Sequence, residues 1–255
     1  MRNRFISSEQ NPDIKHIKAL RDRRSVRHAE RICIVEGSRF IEDAAKVQTP
    51  LLLVVSETRG VDELPIADDV LVIPDSLFAR ISDTTTPQGM LAVFSFPDRS
   101  LAVEGVPLIL VADGVQDPGN LGTMIRSATA LGATKVVCGA GTVDPFAPKV
   151  IRAAGATQWL MPIVLAEDLA AELRDIHINI ADGNANVWID QVDFRTESAI
   201  VVGSEGHGVS SAVRELPHTS VAIPMEQSVE SLNAGIAASI ILYEARRQRR
   251  GSQEC

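Results

Sequence analysis

Three short stretches of the chain carry residue types that can do chemistry. The first is Asp113-Gly114-Val115-Gln116-Asp117-Pro118-Gly119-Asn120-Leu121-Gly122, leading into a helical stretch that holds Arg126. Its glycines and proline fix an unusual backbone path. Asn120 is of a type that caps a helix, and Arg126 lies about two turns in. The second is Gly203-Ser204-Glu205-Gly206-His207-Gly208, after the apolar run Ile200–Val202. Alternating glycines let backbone N–H groups point at a ligand. The third runs from Ile223 to Asn233: Pro224 stops an apolar run, a polar loop follows, and Ser231 opens a helix as its expected N-cap. Ser231, Leu232 and Asn233 crowd against the strand end, where open α/β sheets bind ligands.

Metal and covalent chemistry find no support in these residue types. His207 has no ligand neighbours at metal spacing, and Cys33, Cys138 and Cys255 are isolated. No GxSxG elbow occurs. Gly139-Ala140-Gly141 begins like a dinucleotide fingerprint, but Asp144 stands where the third glycine belongs, which argues against a nicotinamide site.

The elements that must position these loops read as alternating helices and strands. Asn11-Pro12-Asp13 starts a helix with Ile14, Ile17 and Leu20 at helical spacing. Strands are expected at 32–35, 51–55, 70–73 and 90–96, with helices at 38–47 and from 74–75 onward between them. This predicts a small α/β/α sandwich. Pro97–Pro107, rich in Pro, Gly and charge, marks a boundary. Beyond it strands are expected at 108–112, 135–138, 159–164, 177–181, 199–202 and 221–223, and helices at 120–131, 146–154, 167–175 and from 231. That pattern predicts a mostly parallel, doubly wound sheet covered on both faces. The small residues of Ala234-Gly235-Ile236-Ala237-Ala238-Ser239 prepare the last helix to pack closely, on the sheet or on a second subunit.

Composition limits the setting. No apolar run approaches the roughly 20 residues of a membrane span. The first residues, MRNRFISSEQ, lack an apolar core, so no secretion signal is expected, and the odd, isolated cysteines suit a reducing cytoplasm. A net charge of −8 argues against a nonspecific nucleic-acid coat. Yet Lys15, Lys18, Arg21, Arg23, Arg24, Arg27 and Arg31 crowd one segment, and Arg246, Arg247, Arg249 and Arg250 another. Two such clusters in an acidic chain point to a surface for a polyanion.

Taken together, DPGNLGTMIRSATALG, VVGSEGHGVS and VAIPMEQSVESLNAGIAASIILYEARRQ resemble, in order and spacing, the three motifs of the SpoU (TrmH) family of RNA 2′-O-ribose methyltransferases in the SPOUT superfamily. Glu36-Gly37 and Thr86-Pro87-Gln88-Gly89-Met90 resemble parts of the L30e-like substrate-binding domain that many members carry. The resemblance implies an α/β protein with an L30e-like α/β/α domain over 1–98, a linker at 99–106, and a parallel-sheet SPOUT domain over 107–255 tied in a deep trefoil knot. It implies a homodimer through the C-terminal domain, S-adenosyl-L-methionine (AdoMet) as methyl donor, no metal, and an RNA substrate, ribosomal RNA favoured over tRNA. Carried over by position, Gly203, Ile223 and Leu232 are the expected AdoMet contacts, and Asn120, Arg126, Glu205, Ser231 and Asn233 the polar catalytic and substrate positions. Arg126 is the candidate for activating the 2′-hydroxyl. A guanidinium with a pKa above ~12 is a costly base, so stabilising alkoxide charge is an alternative role. A non-catalytic RNA-binding factor and a nucleotide-dependent oxidoreductase are the competing readings. Intact Asn120, Arg126, Glu205 and Asn233 stand against the first, and the broken fingerprint against the second.

Overall fold

A computed structural model describes residues 2–62, 67–98, 105–226 and 231–251. The chain forms two compact units, Met1–Pro97 with Phe146–Trp159, and Asp98–Pro145 with Leu160–Cys255.

In the first unit short β-branched and leucine runs make strands β2 (Ile32–Glu36), β3 (Leu52–Ser56), β4 (Asp69–Ile73) and β5 (Met90–Ser95). They join β1 (Arg2–Phe5) in a sheet of order β1-β4-β3-β5-β2. The β1–β4 and β4–β3 pairs are parallel, and β3–β5 and β5–β2 antiparallel. Strand β1 was not expected: Arg2-Asn3-Arg4-Phe5 has no apolar run, and its pairing with β4 makes it a strand. Helix α1 (Pro12–Asp22) starts as the sequence predicts, with the Asn11 side chain accepting from the Asp13 N–H at 2.8 Å. Its Ile14, Ile17 and Leu20 share one core with Leu77, Phe78 and Ile81 of α4 (Asp75–Ile81) and with Val54, Leu71 and Leu91 of the sheet. Alternate strand residues such as Val35, Leu53, Val55 and Ala92 are buried too, so both faces are covered, with α3 (Ser38–Ala45) packing on β2 and β5.

The segment 146–159 belongs to this unit. Helix α6 (Pro148–Ala154) packs on β2, Phe146 stacks on Phe96 with centroids 3.9 Å apart, and Trp159 meets Phe94 at 5.2 Å. This corrects the strand expected at 159–164. Trp159 lies in a 3-10 turn, Thr157–Leu160, and only Ile163–Leu165 (β8) is extended. A buried tryptophan held by Phe94 outweighs its strand propensity.

The second unit holds β6 (Leu108–Asp113), β7 (Lys135–Cys138), β8, β9 (His177–Ala181), β10 (Val187–Trp188), β11 (Ser198–Gly203) and β12 (His218–Ala222). Their order is β10-β12-β9-β11-β6-β7-β8, and every pairing is parallel. Strands buried on both faces read as continuous apolar runs, as β6 does. One face is sealed by Leu169 and Leu173 at α7 (Leu169–Glu172) and Val213 of α8 (Ser211–Arg214). The helix expected at 167–175 is therefore a single turn, closed by the Leu173 N–H on the Leu169 carbonyl. Helix α5 (Pro118–Leu131) contacts β6 and β7, and α9 (Ala234–Gly251) contacts β11. The small face of α9 also packs on α5: Ser127 and Ser239 hydroxyls lie 2.7 Å apart, and a Cβ on Gly235 would sit 3.1 Å from the Thr123 Cβ.

The two basic clusters are in part structural. The N-terminal one is divided between α1 and α2 (Arg24–Glu30), and Arg27 is 4% exposed. Its guanidinium donates to the Leu20 and Arg21 carbonyls at 2.6 and 3.0 Å, satisfying groups that the end of α1 leaves open. Arg249 donates to the Phe194, Pro107 and Thr196 carbonyls at 2.7, 3.0 and 3.0 Å. Lys15 and Arg23 remain exposed. Replacing Arg27 by Ala strands buried carbonyls and should lower unfolding free energy by about 2–3 kcal/mol in urea, against less than about 0.5 kcal/mol for Arg23→Ala. Equal losses would contradict the structural role.

Candidate functional site

An all-parallel sheet sends every strand's C-terminal loop to the same edge. At that edge the loops after β12, β9, β11 and β6 stand side by side, because those four strands are neighbours. The three stretches of interest follow β6, β11 and β12, so strand order alone brings them together.

After β6 the chain turns through Gly114 to Asp117. The Asp117 side chain accepts from the Asn120 N–H at 2.8 Å, and Pro118 takes the first helical position. Asp117, not Asn120, is therefore the cap of α5. An aspartate at the true N-cap reaches the third helical N–H, and Asn120 is that third residue. This leaves the Asn120 side chain free for other partners in a site where it is 7% exposed. Its Nδ2 donates to Glu205 Oε1, and its Oδ1 accepts from Asn233 Nδ2 at 2.7 Å. Asn233 Oδ1 in turn accepts from the Ile236 N–H at 3.2 Å. Asn233 thus caps α9, and Ser231, expected in that role, sits exposed two residues earlier. One buried amide links residues 85 and 113 positions apart in the chain.

After β11 the backbone folds back on itself. The Ser204 N–H donates to the Gly208 carbonyl at 3.0 Å, and the Gly208 N–H to the Ser204 carbonyl at 2.9 Å. A Cβ on Gly203 would lie 2.2 Å from the Gly208 carbonyl carbon, so only glycine fits there. The Asp113 carboxylate holds the loop's far end by accepting from the Ser210 N–H at 2.7 Å.

A cavity of about 290 Å³ opens at this edge, with Gly203, Glu205, Ile223, Ser231 and Leu232 in its lining. A smaller one of about 160 Å³, lined by Asn120, Glu205 and His207, shares Glu205 with it. Asn233 joins through its bond to Asn120. Arg126 does not: it is exposed on α5, lines neither cavity, and has no hydrogen-bond partner among the described residues. Two charged lining residues were not singled out from sequence. Asp182 follows β9, and Arg214 stands 3.6 Å from it while donating to the Val209 carbonyl at 3.2 Å. The strand-end rule that found the other loops applies equally to Asp182, whereas Arg214 carries no sequence signal. Among the described residues no group of His, Cys, Asp or Glu is arranged to hold a metal ion, and no helix is long and apolar enough to cross a membrane.

Residues 107–243 match the model of a family described as the SpoU rRNA methylase family, and residues 11–92 that of an MRM3-like substrate binding domain. A 23S rRNA guanosine 2′-O-methyltransferase of Bacillus subtilis, RlmP, is 32% identical over 94% of this chain and 98% of its own. Another 23S rRNA guanosine 2′-O-methyltransferase, RlmB of Ralstonia nicotianae, is 39% identical over 77% of this chain and 81% of its own. Among solved structures, the SpoU methyltransferase AviRb of Streptomyces viridochromogenes in complex with AdoMet superposes with a TM-score of 0.85 at 27% identity, covering 94% of this chain and 99% of that one.

The amide link makes a pH-dependent prediction. Asn120→Asp sets a second carboxylate against Glu205. One carboxyl of the pair then has its folded pKa raised above the unfolded value, so stability is present at low pH and is lost as pH rises through that raised pKa. The variant's deficit against wild type should grow by roughly 1–2 kcal/mol from about pH 5 to about pH 8 in urea denaturation. A deficit independent of pH would show the two side chains apart.

Proposed function

The chain belongs to the SpoU rRNA methylase family, and from that premise we propose that it transfers a methyl group from AdoMet to a ribose 2′-hydroxyl of 23S ribosomal RNA. The observation that carries this reading is the Glu205–Asn120–Asn233 chain of hydrogen bonds, whose Glu205 lines both cavities at the strand-end edge. The larger cavity suits the donor. Ile223, Leu232 and Ile241 offer apolar walls for a purine, and the absence of a Cβ at Gly203 lets the loop's backbone come close. Ribosomal RNA is preferred to tRNA because relatives named for it align over nearly the whole chain. In this reading residues 1–98 are an L30e-like RNA-binding domain, and residues 107–255 a SPOUT domain carrying the family's trefoil knot. The expected compartment is the cytoplasm.

The 2′-oxygen attacks the sulfonium methyl carbon, the carbon–sulfur bond breaks, and S-adenosylhomocysteine and the hydroxyl proton leave. Because the donor is already activated, the protein's part is alignment, which supplies on the order of 7–11 kcal/mol in well-oriented systems. Asn120 fixes the Glu205 carboxylate at the boundary of the two cavities, so Asn120 and Asn233 act as positioning residues. Ser231, exposed in the lining of the larger cavity, is left to meet substrate.

Arg126 lines neither of the two cavities described at this edge of its own chain. We infer that the protein works as a homodimer in which Arg126 completes the site of a second copy and steadies negative charge developing on the 2′-oxygen. Helix α9 supports this with Ile236 and Tyr243, 47% and 61% exposed and two turns apart on one face, an apolar stripe suited to a second copy.

Purified protein with methyl-labelled AdoMet and an unmodified 23S transcript should yield label as a 2′-O-methylnucleoside. Label confined to tRNA would move the substrate, and failure of any RNA to accept label would end the enzyme reading. Mixing Arg126→Ala with Glu205→Ala subunits tests the shared site. Each variant alone should be inactive, and the mixture should recover about a quarter of wild-type activity, since half the dimers hold one intact site. No recovery would place Arg126 in its own chain's site.

A further inference from the structure

Methyl transfer leaves one proton without a named acceptor, and the smaller cavity of about 160 Å³ without a named occupant. Cavities of roughly 150 Å³ admit a ring as large as benzene, so one sugar ring fits. Ser204, Glu205 and Ala234 line both this cavity and the larger one, so the two share a wall. A ribose in the smaller cavity can therefore present its 2′-hydroxyl to a methyl group held in the larger.

Three side chains in the lining of the smaller cavity titrate: Asp117, Glu205 and His207. Two are committed. Asp117 accepts from the Asn120 N–H at 2.8 Å as the cap of α5, and Glu205 accepts from the Asn120 side chain. Carboxylates as a class, with pKa values near ~4, are also weak bases toward a hydroxyl at neutral pH. Imidazoles as a class titrate near ~6.5, close to the operating pH, where a general base works best. The exposed His207 ring has no hydrogen-bond partner among the described residues; the His207 backbone N–H donates to the Ser204 hydroxyl at 3.1 Å. The backbone fixes where the ring stands. The paired bonds between Ser204 and Gly208 close the turn at its base, and the Ser204 hydroxyl tethers residue 207 within it. Gly208, at φ +67°, takes the left-handed conformation that turns the chain away directly after His207.

We propose that the smaller cavity takes the acceptor ribose and that His207 receives its 2′-hydroxyl proton. The 2′-oxygen bonds to the methyl carbon while a lone pair on an imidazole nitrogen binds the departing proton. The electron pair of the broken carbon–sulfur bond stays on sulfur, giving the neutral thioether, and the imidazolium then passes its proton to water. The proposal rests on the reading of the protein as an RNA 2′-O-methyltransferase, and it adds the general base to that reaction.

The test is single-turnover methyl transfer by full-length protein from labelled AdoMet to an unmodified 23S transcript, both saturating, from about pH 5.5 to about pH 9. The wild-type rate should rise about tenfold per pH unit at the acid end and level off above an ionisation in the imidazole range of about 6–7. His207→Gln should be slower by about 10²–10⁴-fold and should lose that acid limb, with transcript and S-adenosylhomocysteine affinities within about twofold of wild type. A His207→Gln rate within about threefold of wild type would overturn the proposal. So would a large loss that keeps the same acid limb, which would make His207 a positioning residue and move the titrating group elsewhere. Either result with an active wild type ends the proton assignment alone, whereas a wild type inactive on every RNA ends the methyltransferase reading beneath it.

Discussion

The hydrogen-bonded side chain of Asn120 is the constraint on which the site depends. A primary amide has a fixed polarity, donors on nitrogen and acceptor on oxygen. Here the nitrogen serves a carboxylate on the loop after β11, and the oxygen serves an amide on the loop after β12. Because Asn120 is buried, separating either loop strands a polar group at a cost of about 1–3 kcal/mol. The three loops are therefore coupled, and the cavity they line exists as a unit.

The same residues start the two helices that pack beneath the site. Asn120 lies in the first turn of α5, and Asn233 caps α9. Those helices close on one another through Gly235, Ser239, Thr123 and Ser127, positions too small to hold them apart. Helix packing and site assembly thus share one junction, so stability and function are tied at the point where the parallel sheet delivers its loops. The sheet contributes direction: with all seven strands parallel, the loops leave from one edge, and the adjacency of β6, β11, β9 and β12 sets which of them meet.

Much of this could be read from sequence, for identifiable reasons. Strands buried on both faces, such as β6 and β11, read as continuous apolar runs. Glycines at Gly203 and Gly208 mark a backbone path that other residues cannot follow. Helix caps were harder, because Asp117 and Asn120, or Ser231 and Asn233, satisfy the same preference and only the hydrogen bonds decide between them. Arginine was the least legible residue. Arg27 and Arg249 look like surface charge and instead bind carbonyls, while Arg126 looks like a cavity residue and stands outside it. The placement of Phe146 and Trp159 with the first unit depends on Phe96 and Phe94, partners that no local pattern announces.

The central claim is that one amide couples three loops into a single binding site. It is tested most directly by a double-mutant cycle on S-adenosylhomocysteine binding, measured calorimetrically for wild type, Asn120→Ala, Asn233→Ala and the double variant. If the loops act as a unit, the two losses overlap, and the coupling energy exceeds about 1 kcal/mol. Losses that add within about 0.3–0.5 kcal/mol would show that the residues act independently and would contradict the account.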